Sequence, residues 1–244
     1  MKKVKLFCFP FAGGSARYYK DWQRLLSDSI VLRPVELAGR GQRIGEALYS
    51  DMQEMIDDLY AIIEPELHDL PYALFGHSMG GVIAFELMLR IQQENKPMPR
   101  HFFASGRNAP HLKKERKHYH SLSEEAFKTE ILKLGGAPVE LFEEPELADL
   151  FLPMLRNDFR LAETYAFLQK EIQPFDFGIT VFVGKEEDYS AQEIAEWHRH
   201  TNKMCAIYYF PGGHFFINSF GKEITGLINR TMKKISSQRI YSPT

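Results

Sequence analysis

Short apolar runs alternate with helical patterns along most of this 244-residue chain, and few folds accommodate that alternation. The runs predict six strands, at residues 4–9, 30–35, 72–75, 101–105, 178–184 and 205–210. Between them, apolar residues recur at three-to-four spacing, in a segment through Leu26 that Ser15 could cap and most clearly in the segment that Asp51 opens. Strands that alternate with helices of this length predict a mainly parallel sheet with helices on both faces.

One long segment, residues 109–173, breaks the alternation. It has no good strand pattern but several helical ones, and the sheet resumes afterwards at residue 178. We therefore predict one α/β domain covering residues 1–244, with residues 109–173 inserted as a helical subdomain after the fourth strand. A separate second domain fits this order of elements less well.

The composition excludes several classes of partner. The net charge is −2, with acids and bases interspersed, so no basic surface for nucleic acid is predicted. No segment approaches the run of about 18 apolar residues that a membrane span needs. Cys8 and Cys205 lie singly in apolar runs, which is typical of reduced, buried thiols. We expect a cytoplasmic protein that binds neither nucleic acid nor membrane.

A serine stands between two glycines in "FGHSMGG", residues 75–81, directly after a predicted strand and before a predicted helix. A nucleophile elbow needs such a turn, with small flanking residues where strand and helix pack closely. The alternative is that Ser78 only caps the helix, with glycines for turn geometry. The local motif leaves both interpretations open.

Suitable partners for Ser78 follow two later strands. A serine hydroxyl needs a histidine to take its proton and a carboxylate to orient that histidine. Glu186, Glu187 and Asp188 follow the fifth strand, and His214 follows the sixth. This order of serine, acid and histidine is the order of the α/β-hydrolase fold.

Five motifs in order resemble those of type II thioesterases, the stand-alone editing enzymes of nonribosomal peptide and polyketide synthases. They are "FCFPFAGG", "FGHSMGG", "ASGRNAPH", "LGGAP" and "FPGGHFF", and they cover nearly the whole chain. The resemblance implies an α/β-hydrolase fold in which residues 109–173 form a lid. It also implies hydrolysis of acyl or aminoacyl groups from the phosphopantetheine arm of a carrier protein.

The resemblance also assigns the site. Ser78 is the nucleophile, His214 the base and Asp188 the acid, whose 26-residue gap to His214 suits the family. Glu187 remains an alternative acid, because Asp188 lies one residue further from Gly184 than the family pattern suggests.

The oxyanion should bind two backbone N–H groups, one from Met79 and one from Phe11 or Ala12. Pro10, in the same loop as Phe11 and Ala12, has no N–H to donate. We expect no cofactor and no metal, a carrier-protein partner and a monomer.

Other functions have weaker support from the motifs. The glycine-rich "AGRGQRIG" could indicate a phosphate site, but it spells G-x-G-x-x-x-G and leads into no clear helix start. Histidines 111, 118, 120, 198 and 200 could indicate metal, but no flanking carboxylate pattern accompanies them. A carboxylesterase or acyltransferase would use the same triad, and an inactive carrier-docking protein could keep the fold.

Overall fold

A computed structural model of the chain describes residues 3–112, 118–136, 140–167 and 171–237. Its centre is a six-stranded sheet in which all paired strands run parallel, in the order β2-β1-β3-β4-β5-β6. The strands are β1 (Val4–Phe9), β2 (Ile30–Pro34), β3 (Tyr72–His77), β4 (His101–Ser105), β5 (Gly178–Gly184) and β6 (Cys205–Phe210). The predicted parallel sheet is confirmed, and β3 runs two residues further than predicted.

The strand order reverses between β1 and β3, and this places the site. From β1 the chain moves to one edge of the sheet with β2, then returns past β1 to β3 and continues towards β6. Every residue of β1 and β3 is buried, and their ends pair with Phe9 beside Gly76. In open parallel sheets, ligands bind beyond the carboxyl ends of the strands at such a reversal. The residues that follow β1 and β3 therefore meet at the expected crevice.

Helices cover both faces of the sheet, and alternate side chains of β1 point to opposite layers. Phe7 and Phe9 pack in a cluster with α1 (Met52–Ile63) and α2 (Met79–Gln93). Leu6 and Cys8 pack in a second cluster with residues of α8 (Gly221–Ser237). The short helix α6 (Ala191–Ala195) follows β5, and the short helix α7 (Phe216–Ser219) follows β6.

Two predicted helix starts differ in outcome. Asp51 caps α1 as predicted, because its Oδ1 accepts the Glu54 N–H at 2.8 Å. The helix predicted to begin after Ser15 is a 3-10 helix, Ala16–Arg24, and within the described residues the Ser15 side chain makes no capping hydrogen bond. This 3-10 helix buries Tyr19 and Trp22 in the core. The packing of these aromatic side chains therefore accounts for its position without a cap.

The described part of residues 109–173 contains the helices α3 (Glu124–Leu134), α4 (Glu140–Glu143) and α5 (Pro145–Thr164). Residues 113–117, 137–139 and 168–170 of this segment, and the last two residues of the "LGGAP" motif, lie outside the description. Phe127 and Ile131 of α3 pack with Leu152 and Leu155 of α5 in a small apolar core of their own. The insertion therefore buries part of its apolar surface internally. None of the helices in the described ranges is long and apolar enough to cross a membrane.

Candidate active site

Ser78 lies in the turn between β3 and α2, with φ of 54° and ψ of −116°. Positive φ is uncommon for a residue other than glycine and marks a strained backbone. Two backbone bonds hold the turn: Ser78 N–H donates to the Ser105 carbonyl at 2.8 Å, and Gly81 N–H donates to the Ser78 carbonyl at 3.0 Å. Within the described residues the Ser78 side chain makes no capping bond, so the helix-cap interpretation is wrong.

Two of the flanking glycines are required by the close approach of α2 to the sheet. A Cβ on Gly76 would lie 2.0 Å from the Gly80 carbonyl oxygen, and one on Gly80 would lie 2.1 Å from the Phe9 carbonyl oxygen. Both obstructions are backbone atoms, which cannot move aside as a flexible side chain can. A Cβ on Gly81 would approach nothing closer than 3.4 Å. Gly76 and Gly80 thus allow the turn that presents Ser78.

His214 follows β6 behind Gly212 and Gly213, and a carboxylate fixes its orientation. Its Nδ1 lies 2.6 Å from Glu187 Oε1, while Glu187 Oε2 accepts the Gly184 N–H at 2.8 Å. The Glu187 side chain is only 3% exposed. Both carboxylate oxygens are therefore bonded, and they hold the Nδ1 side of the His214 ring in place.

The carboxylate on His214 is not the one that the sequence analysis favoured. Asp188 was favoured, but Glu187 occupies the position at Nδ1, and Asp188 lines the same cavity as Ser78 and His214. The physical reason is the turn after β5, in which Glu187 N–H donates to the Gly184 carbonyl at 3.2 Å. That turn brings the Glu187 side chain back over the end of β5, towards His214.

A second histidine, His77, packs against His214 within the site, and the sequence analysis missed it. Its side chain is fully buried, its Nδ1 lies 2.9 Å from Ser105 Oγ, and its ring centroid is 5.0 Å from that of His214. Burial, and then the nearby His214, hold the pKa of His77 well below its usual value, so this ring stays neutral. A neutral ring adds no repulsion when His214 takes up a proton.

Gly106 makes room for both rings. Its φ is +62°, and a Cβ there would lie 2.6 Å from His77 Cε1 and 3.3 Å from His214 Cε1. The signals for these two residues were a polar residue ending the apolar β3 run, and the glycine after "AS" in "ASGRNAPH".

Ser78, His214 and Glu187 line one cavity of about 570 Å³. Phe11 and Ala12, from the loop after β1, line it too. The next N–H groups of that loop are occupied, since Gly13 N–H donates to Asp158 at 2.8 Å and Gly14 N–H donates to the Phe11 carbonyl at 2.8 Å.

Phe11 and Ala12, the two residues predicted to offer an N–H to the oxyanion from this loop, therefore both line the cavity with Ser78. Met79 is the first residue of α2, where helix N–H groups lack partners within the helix. Its N–H is the third group predicted for the oxyanion, and it lies directly after Ser78.

One histidine cluster has a carboxylate that the sequence pattern did not reveal. His118, His120 and Glu163 place one ligand atom each within 4.8 Å of one another. Glu163 comes from α5, more than forty residues from His120 along the chain. It accepts the Tyr119 N–H at 3.0 Å and the His120 N–H at 3.2 Å, so its contacts fasten the turn at residues 118–121 onto α5.

A parallel sheet with a strained serine after its third strand, and a carboxylate-bound histidine lining the same cavity, defines the α/β-hydrolase class. The family model for the thioesterase domain matches residues 4–235. The chain belongs to this thioesterase family and has the α/β-hydrolase fold.

Individual relatives agree over nearly the full length. The linear gramicidin dehydrogenase LgrE of Brevibacillus parabrevis is 37% identical over 235 residues, which are 95% of this chain and 88% of LgrE. ClbQ, from the colibactin NRPS/PKS pathway, superposes with a TM-score of 0.90 at 36% identity, over 96% of this chain and 99% of ClbQ. The type II thioesterase BorB, from the borrelidin biosynthetic cluster, gives a TM-score of 0.83 at 30% identity, over 93% and 92%. The resemblance to type II thioesterases is confirmed.

Adding a methyl group at two adjacent glycines tests the close packing at the turn. Gly80→Ala should lower the free energy of unfolding by more than about 2 kcal/mol, because its Cβ meets backbone. Gly81→Ala is the matched control and should change it by less than about 1 kcal/mol, since alanine also favours the helix. Urea unfolding measures both. Equal stability of the two variants would show that the packing does not require glycine at residue 80.

Neutral amides at the two adjacent acids test which carboxylate serves His214. Glu187→Gln should lower kcat for thioester hydrolysis by about three to four powers of ten, because an amide can hold the wrong tautomer. Asp188→Asn, the matched control, should retain most of the activity. A larger loss from Asp188→Asn would return the acid role to Asp188.

Proposed function

We propose that this thioesterase hydrolyses acyl or aminoacyl thioesters on the phosphopantetheine arm of carrier proteins, in the service of a nonribosomal peptide or polyketide synthase. The observation that carries the proposal is the single cavity that Ser78 shares with a Glu187-bound His214. The synthase setting is supported by the colibactin NRPS/PKS origin of ClbQ and the borrelidin cluster of BorB.

The proposed reaction passes through an acyl-enzyme. Ser78 attacks the thioester carbonyl while His214 Nε2 takes the hydroxyl proton, and Glu187 holds the ring and stabilises its positive charge. The oxyanion is bound by the Met79 N–H and by an N–H from Phe11 or Ala12. The pantetheine thiolate is a much weaker base than an amine anion, so it leaves with little acid assistance. Water activated by His214 then releases the acid, and no metal or organic cofactor takes part.

The cavity fits a slender thioester. Its volume of about 570 Å³ falls within the usual range for small-molecule sites. Leu134 and Phe159 from the helical insertion, and Phe215 beside His214, give it apolar wall for an acyl chain. We propose that the insertion acts as a lid, with α3 among the parts that move to admit the pantetheine arm, and that the enzyme works as a monomer.

A dehydrogenase activity, suggested by the name of LgrE, finds less support. The glycine-rich segment after β2 was the one candidate for a phosphate site in the sequence analysis. A Cβ on Gly41 would lie 2.1 Å from Glu36 Oε2, and Arg40 is buried against Asp158. A carboxylate facing the glycines would repel a phosphate. Gly39 also packs within the protein, since a Cβ there would lie 2.4 Å from Leu48 Cδ2.

Three substrates with one acyl group test the proposal. The wild type should hydrolyse acetyl-carrier protein with the highest kcat/KM, acetyl-pantetheine with a lower one and an aryl acetate with the lowest, with no loss in EDTA. Ser78→Ala should lower kcat by several powers of ten and leave the fold intact, because triad members act as a unit. Preference for the aryl ester would indicate a carboxylesterase. Persistent turnover in Ser78→Ala would contradict the assignment of Ser78 as the nucleophile.

A further inference from the structure

An ion pair buried beneath the active site connects α5 to the loop after β1. We propose that Asp158 is a positioning residue that, together with Arg40, holds this loop so that Phe11 or Ala12 can donate its N–H to the thioester oxyanion. The inference rests on the proposed function, because it concerns the loop assigned there to the oxyanion.

The pair is buried and fully bonded. Asp158 is 0% exposed and Arg40 4%. Arg40 Nη1 and Nη2 donate to the two Asp158 oxygens, at 2.5 and 2.7 Å, in the bidentate geometry that favours arginine with carboxylate. Arg40 Nε also donates to the Ala38 carbonyl at 3.4 Å. The guanidinium is therefore also held by the connection between β2 and α1, to which Arg40 belongs, and can act as a rigid support for the loop after β1.

Both partners also bond to the loop itself. Asp158 Oδ2 accepts the Gly13 N–H at 2.8 Å, and Arg40 Nη1 donates to the Gly14 carbonyl at 3.1 Å. The pair thus binds two successive residues of the loop, Gly13 through its N–H and Gly14 through its carbonyl. The peptide groups before them, at Phe11 and Ala12, are the ones that line the cavity with Ser78. Fixing the Gly13 and Gly14 backbone fixes which way those preceding groups point.

The loop is also shaped for contact with α5. Gly13 has φ of +76°, a backbone conformation that favours glycine, and a Cβ there would lie 2.5 Å from Leu155 Cδ1 of α5. Leu155 is one turn of α5 before Asp158, and Asn157 Nδ2 donates to the Tyr49 carbonyl at 3.1 Å. The central part of α5 is therefore attached to the body of the domain.

Stability alone does not explain a charged pair in this place. Burying two charges carries a large desolvation penalty, and apolar residues of similar volume often give equal or greater stability. A second ion pair, Arg43 and Asp58, joins the connection between β2 and α1 to α1 itself. Its Arg43 Nη1 and Asp58 Oδ2 atoms lie 2.8 Å apart, and both side chains are more exposed than those of Arg40 and Asp158. Among the described residues that pair makes no bond to the loop after β1, which makes it a suitable control.

An apolar replacement of the pair separates positioning from stability. In the double variant Arg40→Met with Asp158→Leu, we expect unfolding free energy near the wild-type value but kcat for acetyl-pantetheine lower by about 10²-fold, the effect of one missing oxyanion donor. KM should change less than about threefold, and the Gly13 amide should exchange hydrogen faster. Asp58→Asn, the matched control, should retain wild-type kcat and exchange.

If the double variant folds poorly, a second variant still tests the positioning role. Asp158→Asn keeps the size of the side chain and an acceptor for Gly13 but loses the charge that holds Arg40, and the folded fraction should show a lowered kcat with little change in KM. Wild-type kcat in folded samples of either variant would overturn the positioning role. An inactive wild type with an unreactive Ser78 would instead overturn the proposed function, so the two failures are distinguishable.

Discussion

The site depends on how closely the first turn of α2 approaches the ends of β1 and β3. Phe9 pairs with Gly76 across the sheet, and a Cβ on Gly80 would collide with the Phe9 carbonyl. This contact forces the chain to turn within one residue, and Ser78 takes up the positive φ that results. The same packing brings the loop after β1 beside the serine. Ser78 and the candidate oxyanion donors are thus positioned by one glycine-dependent contact.

Electrostatic support is added from the other strands. Glu187, at the end of β5, holds His214 after β6, while neutral His77 and Gly106 fill the space beneath that ring. Arg40 and Asp158 hold the loop after β1 from the opposite side. Each support comes from a different connection at the carboxyl edge of the sheet. The helical insertion contributes both cavity wall and, through Asp158, one of the fixed points.

The sequence was most informative where the signal is periodic or local. Five of the six strands were predicted with the bounds observed or within one residue, because buried parallel strands are continuous apolar runs between breakers. Ser78 and His214 could be found because each follows such a run. The resemblance to a known family then supplied roles that spacing alone could not.

What escaped prediction depends on three-dimensional detail. The choice between Glu187 and Asp188 is made by a turn in which Glu187 N–H bonds to Gly184, and adjacent acids look alike in sequence. Asp158 lies inside a helical pattern as one acid among many, and only the fold brings it to Arg40, 118 residues away. The carboxylate beside His118 and His120 was missed for the same reason, since Glu163 comes from a distant helix.

Acid-quenched mass spectrometry during turnover tests the central claim most directly, because that claim is a covalent acyl group on Ser78. Wild-type enzyme mixed with excess acetyl-pantetheine should yield, within one turnover, an acetylated peptide that contains Ser78, and the adduct should disappear once substrate is consumed. Turnover with acetyl found only on another residue, or with an unmodified Ser78 at every quench time, would contradict the account.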